Sequence, residues 1–401
     1  MFHDPGSGMT SFDESPSIAE AGSWRRASHL QWSMQNISSF LPVRPVPAGA
    51  RVAEFGTALS DVSGIAVPNP WAQRTTTVGE LIAETYTDAF MVTRNGVIVA
   101  EQYYGAMQPS TLHLLMSVSK SLTTATAGVL VSTGRLRREG LVTDYVPALA
   151  TSGYRGATVG DLLDMRTGIR FSEKYLDESA EVRMLEQAIG WTPRRSAKSP
   201  GTLLDFLASL VQVRPHGGVF DYKSCETDAL AFAMQGATGG RHPADLMSEL
   251  VWKPMGAEAT AHVSVDSVGA GMFDGGVSAT LRDLARFGNL FLRAGYSLDG
   301  MPVLPSWWVG DTFEGAIDSR EAFAGAPEPT LMPGGMYRNG FWFPRPGSNV
   351  CLALGIHGQM IYMDRANGIV GVKLSSWPQP QDGSTLMWTL AGFDAIARAI
   401  A

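Results

Sequence analysis

The sequence predicts an α/β fold in which one sheet-containing domain is assembled from both ends of the chain and interrupted by an all-helical domain. Three observations carry this reading. Strand-like runs occur near residues 90–100 and return over 340–374, whereas the stretch between about 158 and 271 carries helical patterns and few strand-like runs. No period of roughly 20–50 residues repeats, which removes solenoids and propellers. The 401 residues, 45% hydrophobic and 17% charged, have globular composition and length for two or three domains at ~100–200 residues each. The expected division is an irregular N-terminal extension over residues 1–45, an α/β domain from 46–159 and 272–401, and an all-helical domain over 160–271.

Residues 1–45 are rich in Ser, Pro and Gly with scattered aromatics, Trp24 and Trp32 among them, and read as an irregular segment wrapped on the surface. From Thr76 to Asp88 the spacing of Val78, Leu81, Ile82 and Tyr86 is helical. Two β-rich runs then meet across Asn95-Gly96, the strongest short hairpin signal. Residues 117–133 follow as a helix with an Ala/Leu/Val face that stops near Gly134. Helical patterns cover Val159–Met165, Thr202–Val211, Asp228–Met234, Pro243–Trp252 and Leu281–Ala294. Strands return at 340–343, 352–356, 360–363 and 369–374, and residues 384–400 close the chain as an amphipathic helix.

The balance of 31 basic and 38 acidic residues gives a net charge of −7, which repels phosphate backbones and argues against nucleic acid as a partner. No apolar run approaches the ~20 residues that cross a bilayer, so no membrane partner is expected. The start lacks the basic and apolar regions of a signal peptide. Two cysteines, Cys225 and Cys351, are too few for a disulfide framework or a Cys-based zinc site and read as small apolar packers. A cytoplasmic location is the resulting expectation. Lysine is scarce, with six against twenty-five arginines, so a lysine in an apolar setting asks for a reason.

His-Glu-x-x-His, P-loop, dinucleotide-binding and Gly-x-Ser-x-Gly patterns are all absent from the sequence. What stands out is Ser117-Val118-Ser119-Lys120 on the first turn of the helix after the hairpin. A spacing of three puts the serine hydroxyl and the lysine ammonium on one helix face. A serine needs a base beside it, and a lysine with a lowered pKa can serve; the helix N-terminus adds free N–H groups where an oxyanion forms. With 34 serines and six lysines, about 0.5 such matches arise by chance, so the bare pattern also fits an exposed helix start with a solvated lysine. The apolar residues Leu114, Leu115, Met116, Ala125, Val129 and Leu130 around it point instead to a buried helix, where an unpaired lysine is rare. A third proton-handling group is sought in Tyr222-Lys223-Ser224 or Tyr337-Arg338-Asn339. The first follows a loop with Gly217 and Gly218, and its phenol needs an adjacent cation such as Lys120 before it can act as a base. Tyr222 reads equally as a half-buried loop aromatic, and Tyr337 as the start of a strand.

Ser117-x-x-Lys120, then Tyr222-x-Ser224 about a hundred residues later, then a glycine on a late strand, resembles the serine β-lactamase and penicillin-binding-protein superfamily in its class C and esterase branch. The segments Thr158–Gly168 and Gly275–Ala285 match as well. Within the branch, Thr85–Phe90, His113–Leu122, Gly355–Gln359 and Val372–Pro378 look like the 6-aminohexanoate-dimer (nylon-oligomer) hydrolases. The resemblance spans about residues 75–401. It implies a β-lactamase-like antiparallel sheet flanked by helices and an amidase or esterase acting on a small, linear amide or ester substrate without a metal or organic cofactor. It makes Ser117 the acylated nucleophile, Lys120 its base partner and Tyr222 the proton carrier to the leaving group. The Ile356 amide would join that of Ser117 in the oxyanion hole. Tyr175, Trp191 and Trp342 match aromatics that cover the substrate, and also read as ordinary packing. Glu186 and Asp274 fall where this branch can place groups that face a substrate and hold a cationic amine, and also read as surface or loop charges. A homodimer is left open.

The Lys-Thr-Gly element of β-lactamases is replaced by Ala353-Leu354-Gly355, or by His357-Gly358-Gln359 in a shifted alignment, so the lysine that grips a β-lactam carboxylate is missing. His357 reads as a hydrogen-bonded structural histidine before it reads as a catalyst. A carboxylesterase, a D-amino-acid peptidase or amidase, and a non-catalytic penicillin-recognising sensor remain as alternatives on the same fold.

Overall fold

The computed structural model describes residues 23–401 except positions 70, 198, 329 and 348. Its main sheet has eight strands in the order Met336–Arg338, Phe341–Phe343, Val350–Gly355, Gln359–Asp364, Ile369–Ser375, Thr87–Arg94, Val97–Tyr103 and Gly56–Thr57. Strands from the two ends of the chain meet where Ile369–Ser375 lies antiparallel to Thr87–Arg94, with Val370 opposite Thr93 and Val372 opposite Met91. Only the short outer pairing of Gly56–Thr57 is parallel. The Asn95-Gly96 turn has φ of 51° and 81°, the left-handed pair that a two-residue hairpin requires.

Alternate residues along these strands feed two separate cores. Met91, Ile361, Met363, Val370 and Val372 pack on the side of helix Leu281–Leu292, while Phe90, Val92, Tyr362 and Ile369 pack on the side of helix Gly383–Ile400. Phe393 stacks between Phe90 and Tyr362 at 5.4 and 5.3 Å. It reaches them because Gly371 has no side chain; a Cβ there would lie 2.3 Å from its ring. Burial on both faces explains why the strands read as continuous apolar runs rather than as alternation.

Two expectations change. The segment 1–45 is not irregular where it is described: Ala27–Gln35 is helical with Leu30 and Met34 buried, Val43–Val46 is a strand, and Trp24 is 2% exposed. Residues 1–22 lie outside the described part. The regular elements of 160–271 are helices joined by long loops, except for the strand Ala261–Ser264 near its end. That strand belongs to a second sheet, in the order Val43–Val46, Ala261–Ser264, Val277–Ala279 and His113–Leu114. Its members have two to four residues, too few for alternation to register. This small sheet delivers the chain to Ser117: the Leu115 N–H bonds the Val277 carbonyl at 2.8 Å, and the Val277 N–H bonds Ser119 Oγ at 3.1 Å.

Candidate active site

Ser117 caps helix Val118–Ser132 immediately after Met116, whose φ of 48° is left-handed for a residue with a side chain. Such a conformation costs about 1–2 kcal/mol and persists where the surroundings fix it. They do so here, since the end of strand Val350–Gly355 presses on the same turn: a Cβ on Gly355 would lie 2.5 Å from the Leu115 carbonyl oxygen and 3.1 Å from Met116 Cβ. That contact sets the next residue, Ile356, beside Ser117. Ser117 caps one helix and Ile356 starts a short helical turn, so neither N–H has an intrahelical acceptor. His357 anchors this turn. Its ring bonds the Trp377 carbonyl at 2.7 Å, burial lowers its pKa to about 4, and the neutral ring is the structural histidine the sequence suggests.

Lys120 lies one helical turn below the half-buried Ser117 and is 1% exposed. Its ammonium donates to Ser117 Oγ at 2.8 Å, Ser224 Oγ at 3.0 Å and the Asp274 carbonyl at 2.7 Å, which uses all three of its protons. The same Nζ lies 5.1 Å from the centre of the Tyr222 ring. Tyr222 and Ser224 sit at the entry to helix Cys225–Ala237, in a loop pinned by the Phe220 N–H on the Ala322 carbonyl and the Asp221 N–H on that of Met165. The phenol is not pulled down by Lys120. Burial pushes its pKa well above the ordinary value, the charge of Glu173 adds to that, and hydrogen bonding with Ser117 only partly opposes both. Tyr222 is therefore a protonated donor at rest.

Around the ammonium are carboxyls, two of which the sequence gave no reason to select. Glu173 accepts from the Tyr175 hydroxyl and the Ser224 N–H, and burial raises its pKa against the pull of Lys120. Asp228 uses Oδ1 on the N–H groups of Phe273 and Asp274, at 2.8 and 3.1 Å. Asp228 Oδ2 and Asp274 Oδ1 are buried with no other partner; the two carboxyls face each other, and burial raises both pKa values, that of Asp228 the more. The charge of Asp274 disfavours the charged form of Asp228, which adds to the effect of burial there. Asp274 Oδ2 stands 3.7 Å from Lys120.

Ser117 and Ile356 open onto a narrow cleft whose walls include Tyr175, Trp191, Glu186 and Asp274. Trp342 is not on that wall: it packs on Tyr222 at 5.2 Å, with Tyr337 and Phe220 closing the aromatic cluster, and so supports the phenol from behind. Tyr337 lies in the strand Met336–Arg338. Glu186 and Asp274 are each 3% exposed and are not surface charges. Nor is Glu186 free for a cationic amine, because Arg25 and Arg183 hold both of its oxygens. Arg25 belongs to the segment read as irregular, and no spacing signal points to it. Cys225 and Cys351 are free thiols in the core.

A family model described as Beta-lactamase matches residues 76–393. The chain belongs to the beta-lactamase family. A 6-aminohexanoate-dimer hydrolase from Paenarthrobacter ureafaciens is 36% identical over 369 residues, covering 89% of this chain and 88% of its own length. A solved structure from Bacillus anthracis, provisionally assigned as a 6-aminohexanoate-dimer hydrolase, matches with a TM-score of 0.86 at 26% identity over 98% of this chain and 99% of that one. The D-stereospecific amidohydrolase of a Streptomyces species shares the fold at a TM-score of 0.56 and 16% identity, over 77% and 95% of the two chains. This member of the beta-lactamase family is a serine hydrolase of the amide- and ester-cleaving kind.

Proposed function

We propose that the chain hydrolyses linear amides and esters through an acyl-enzyme on Ser117; its Paenarthrobacter relative is named for hydrolysis of 6-aminohexanoate dimer. The observation that carries this is the single Lys120 ammonium bonded to both Ser117 Oγ and Ser224 Oγ beside the Gly355-Ile356 turn. Ser117 Oγ attacks the carbonyl carbon, and its proton passes to Lys120 Nζ as that ammonium hands one of its own on to Tyr222. The N–H groups of Ser117 and Ile356 receive the oxyanion. Tyr222 gives its proton to the departing nitrogen or oxygen and recovers one from Lys120, so the net transfer is from Ser117 to the leaving group. Water then attacks the acyl carbon along the reverse route and frees the acid. None of these steps calls for a metal or organic cofactor. Tyr175 and Trp191 offer apolar walls to an extended chain, and no lysine stands at Ala353-Leu354-Gly355 to grip a β-lactam carboxylate.

Ser117→Ala is expected to abolish turnover of a short-chain p-nitrophenyl ester and to remove the fluorophosphonate adduct that mass spectrometry finds on Ser117. Retained turnover overturns the assignment, and an acyl adduct that the ester leaves on Ser117 and water never removes indicates a sensor instead.

A further inference from the structure

The cleft beside Ser117 has the electrostatics of an anion seat rather than an amine seat. Glu186, the acid on its wall, is 4% exposed at its side chain and is enclosed by two guanidiniums. Arg25 binds it through Nη1 and Nη2, and Arg183 Nη1 binds Oε2 at 2.7 Å. Two cations on one carboxylate more than balance its charge, and their three N–H bonds fill both acceptor sites of Oε2 and one of the two on Oε1. The other acid on the wall, Asp274, faces the Lys120 ammonium at 3.7 Å, so its charge is met from within. Arg25, by contrast, lines the cleft and has given only two of its five N–H donors to Glu186.

The position of Arg25 is built rather than incidental. The preceding Trp24 is 2% exposed, meets Trp191 edge-on at 5.2 Å and donates its Nε1–H to the Trp191 carbonyl at 3.0 Å. The Arg26 N–H closes a turn onto the Ser23 carbonyl at 2.9 Å, and the Arg25 guanidinium lies 5.4 Å from the centre of the Trp24 ring. The N-terminal segment thus supplies one wall of the cleft.

We propose that Arg25 is a specificity-determining residue that fits this cleft to a linear chain ending in a carboxylate and turns away chains ending in an ammonium. The inference rests on the acyl-enzyme reading only in taking the cleft beside Ser117 as the place where substrate sits. The terminal carboxylate would take the unused N–H donors of Arg25 in a two-pronged contact, while the methylene chain lies along Trp191 and Tyr175.

The test is an equilibrium titration of the full chain with hexanoate, hexanamide and hexylammonium at one ionic strength, followed by the fluorescence of Trp24 and Trp191. Hexanoate should bind at least tenfold more tightly than hexylammonium. Arg25→Gln should bring that ratio within threefold or invert it, and Arg25→Lys should keep part of it. Glu186→Gln should widen it, because the guanidiniums lose their internal partner; this variant decides the matter if Arg25→Gln does not fold. Hexylammonium binding as tightly as hexanoate, or a ratio that none of the three substitutions moves, overturns the proposal. Binding is read without turnover, so loss of the Ser117 assignment and loss of this one are told apart: an active Ser117→Ala enzyme refutes the first and leaves the binding order standing.

Discussion

Replacing Gly355 by alanine tests the proposed oxyanion hole without touching either of its N–H groups. At φ −133° and ψ 146° the backbone of Gly355 is extended, and alanine adopts it without strain. The whole effect is therefore steric. The new Cβ would lie 2.5 Å from the Leu115 carbonyl oxygen, 3.0 Å from Gln359 Cβ and 3.1 Å from Met116 Cβ. Reaching an ordinary contact of at least 3.4 Å requires the Ile356 turn and the Ser117 turn to separate by roughly 0.9 Å. An oxyanion donor works at about 2.7–3.1 Å, so that separation removes one donor, which costs about 10²–10³ in kcat or ~3–4 kcal/mol of transition-state stabilisation. Overpacking also costs ~1–3 kcal/mol of stability. The assay is steady-state hydrolysis of p-nitrophenyl butyrate beside a thermal melt. Gly128→Ala is the control: its Cβ would meet the Trp308 ring at 2.5 Å in the middle of the same helix, so it should lower the melting temperature and spare kcat. A Gly355→Ala enzyme that is destabilised yet keeps kcat within threefold of the wild type refutes the reasoning.

Tyr222→Phe should lower kcat on an alkyl amide by at least ~100-fold and on a p-nitrophenyl ester by less than tenfold, because nitrophenolate leaves without a proton; equal losses on both substrates would show that Tyr222 is not the donor. His357 should make the fold acid-sensitive. Its pKa falls from 6.5 to about 4 in the folded chain, so its contribution is present above pH 6.5 and is lost as pH falls through 4, amounting to about 3 kcal/mol. His357→Asn, which tolerates the φ of 61° there, should flatten melting temperature against pH between 6.5 and 4; an unchanged slope counts against His357 as the titrating group.

The scarcity of lysine was a weaker guide than it promised. Lys223 and Lys373 are as buried as Lys120, each completely, so burial alone does not single out a base. Lys223 is matched by Asp221 at 2.6 Å, and Lys373 rests on the Thr85 carbonyl at 3.1 Å with its pKa lowered by burial to about 7. Lys120 differs in holding two serine hydroxyls at once, and only the first of these follows from local spacing.

What the sequence determined by itself is what short-range physics encodes. The Asn95-Gly96 turn, the Ser-x-x-Lys spacing on a buried helix and the doubly apolar strands each depend on neighbours within a few residues, and each is found where the sequence places it. Ser117 and Lys120 could be named from their spacing, and Tyr222 and Ile356 from the resemblance to a family. Tertiary structure alone decided which charges answer one another. Arg25 and Glu186 are 161 residues apart, Lys120 and Ser224 are 104 apart, and the Asp228–Asp274 pair joins a helix to a loop. Whether a carboxylate in a cleft is free or paired depends on solvent exclusion and on distances of a few ångströms, and no spacing along the chain records either. For that reason the sequence could offer Glu186 as an anchor for an amine, whereas the folded chain sets Arg25 and Arg183 on it.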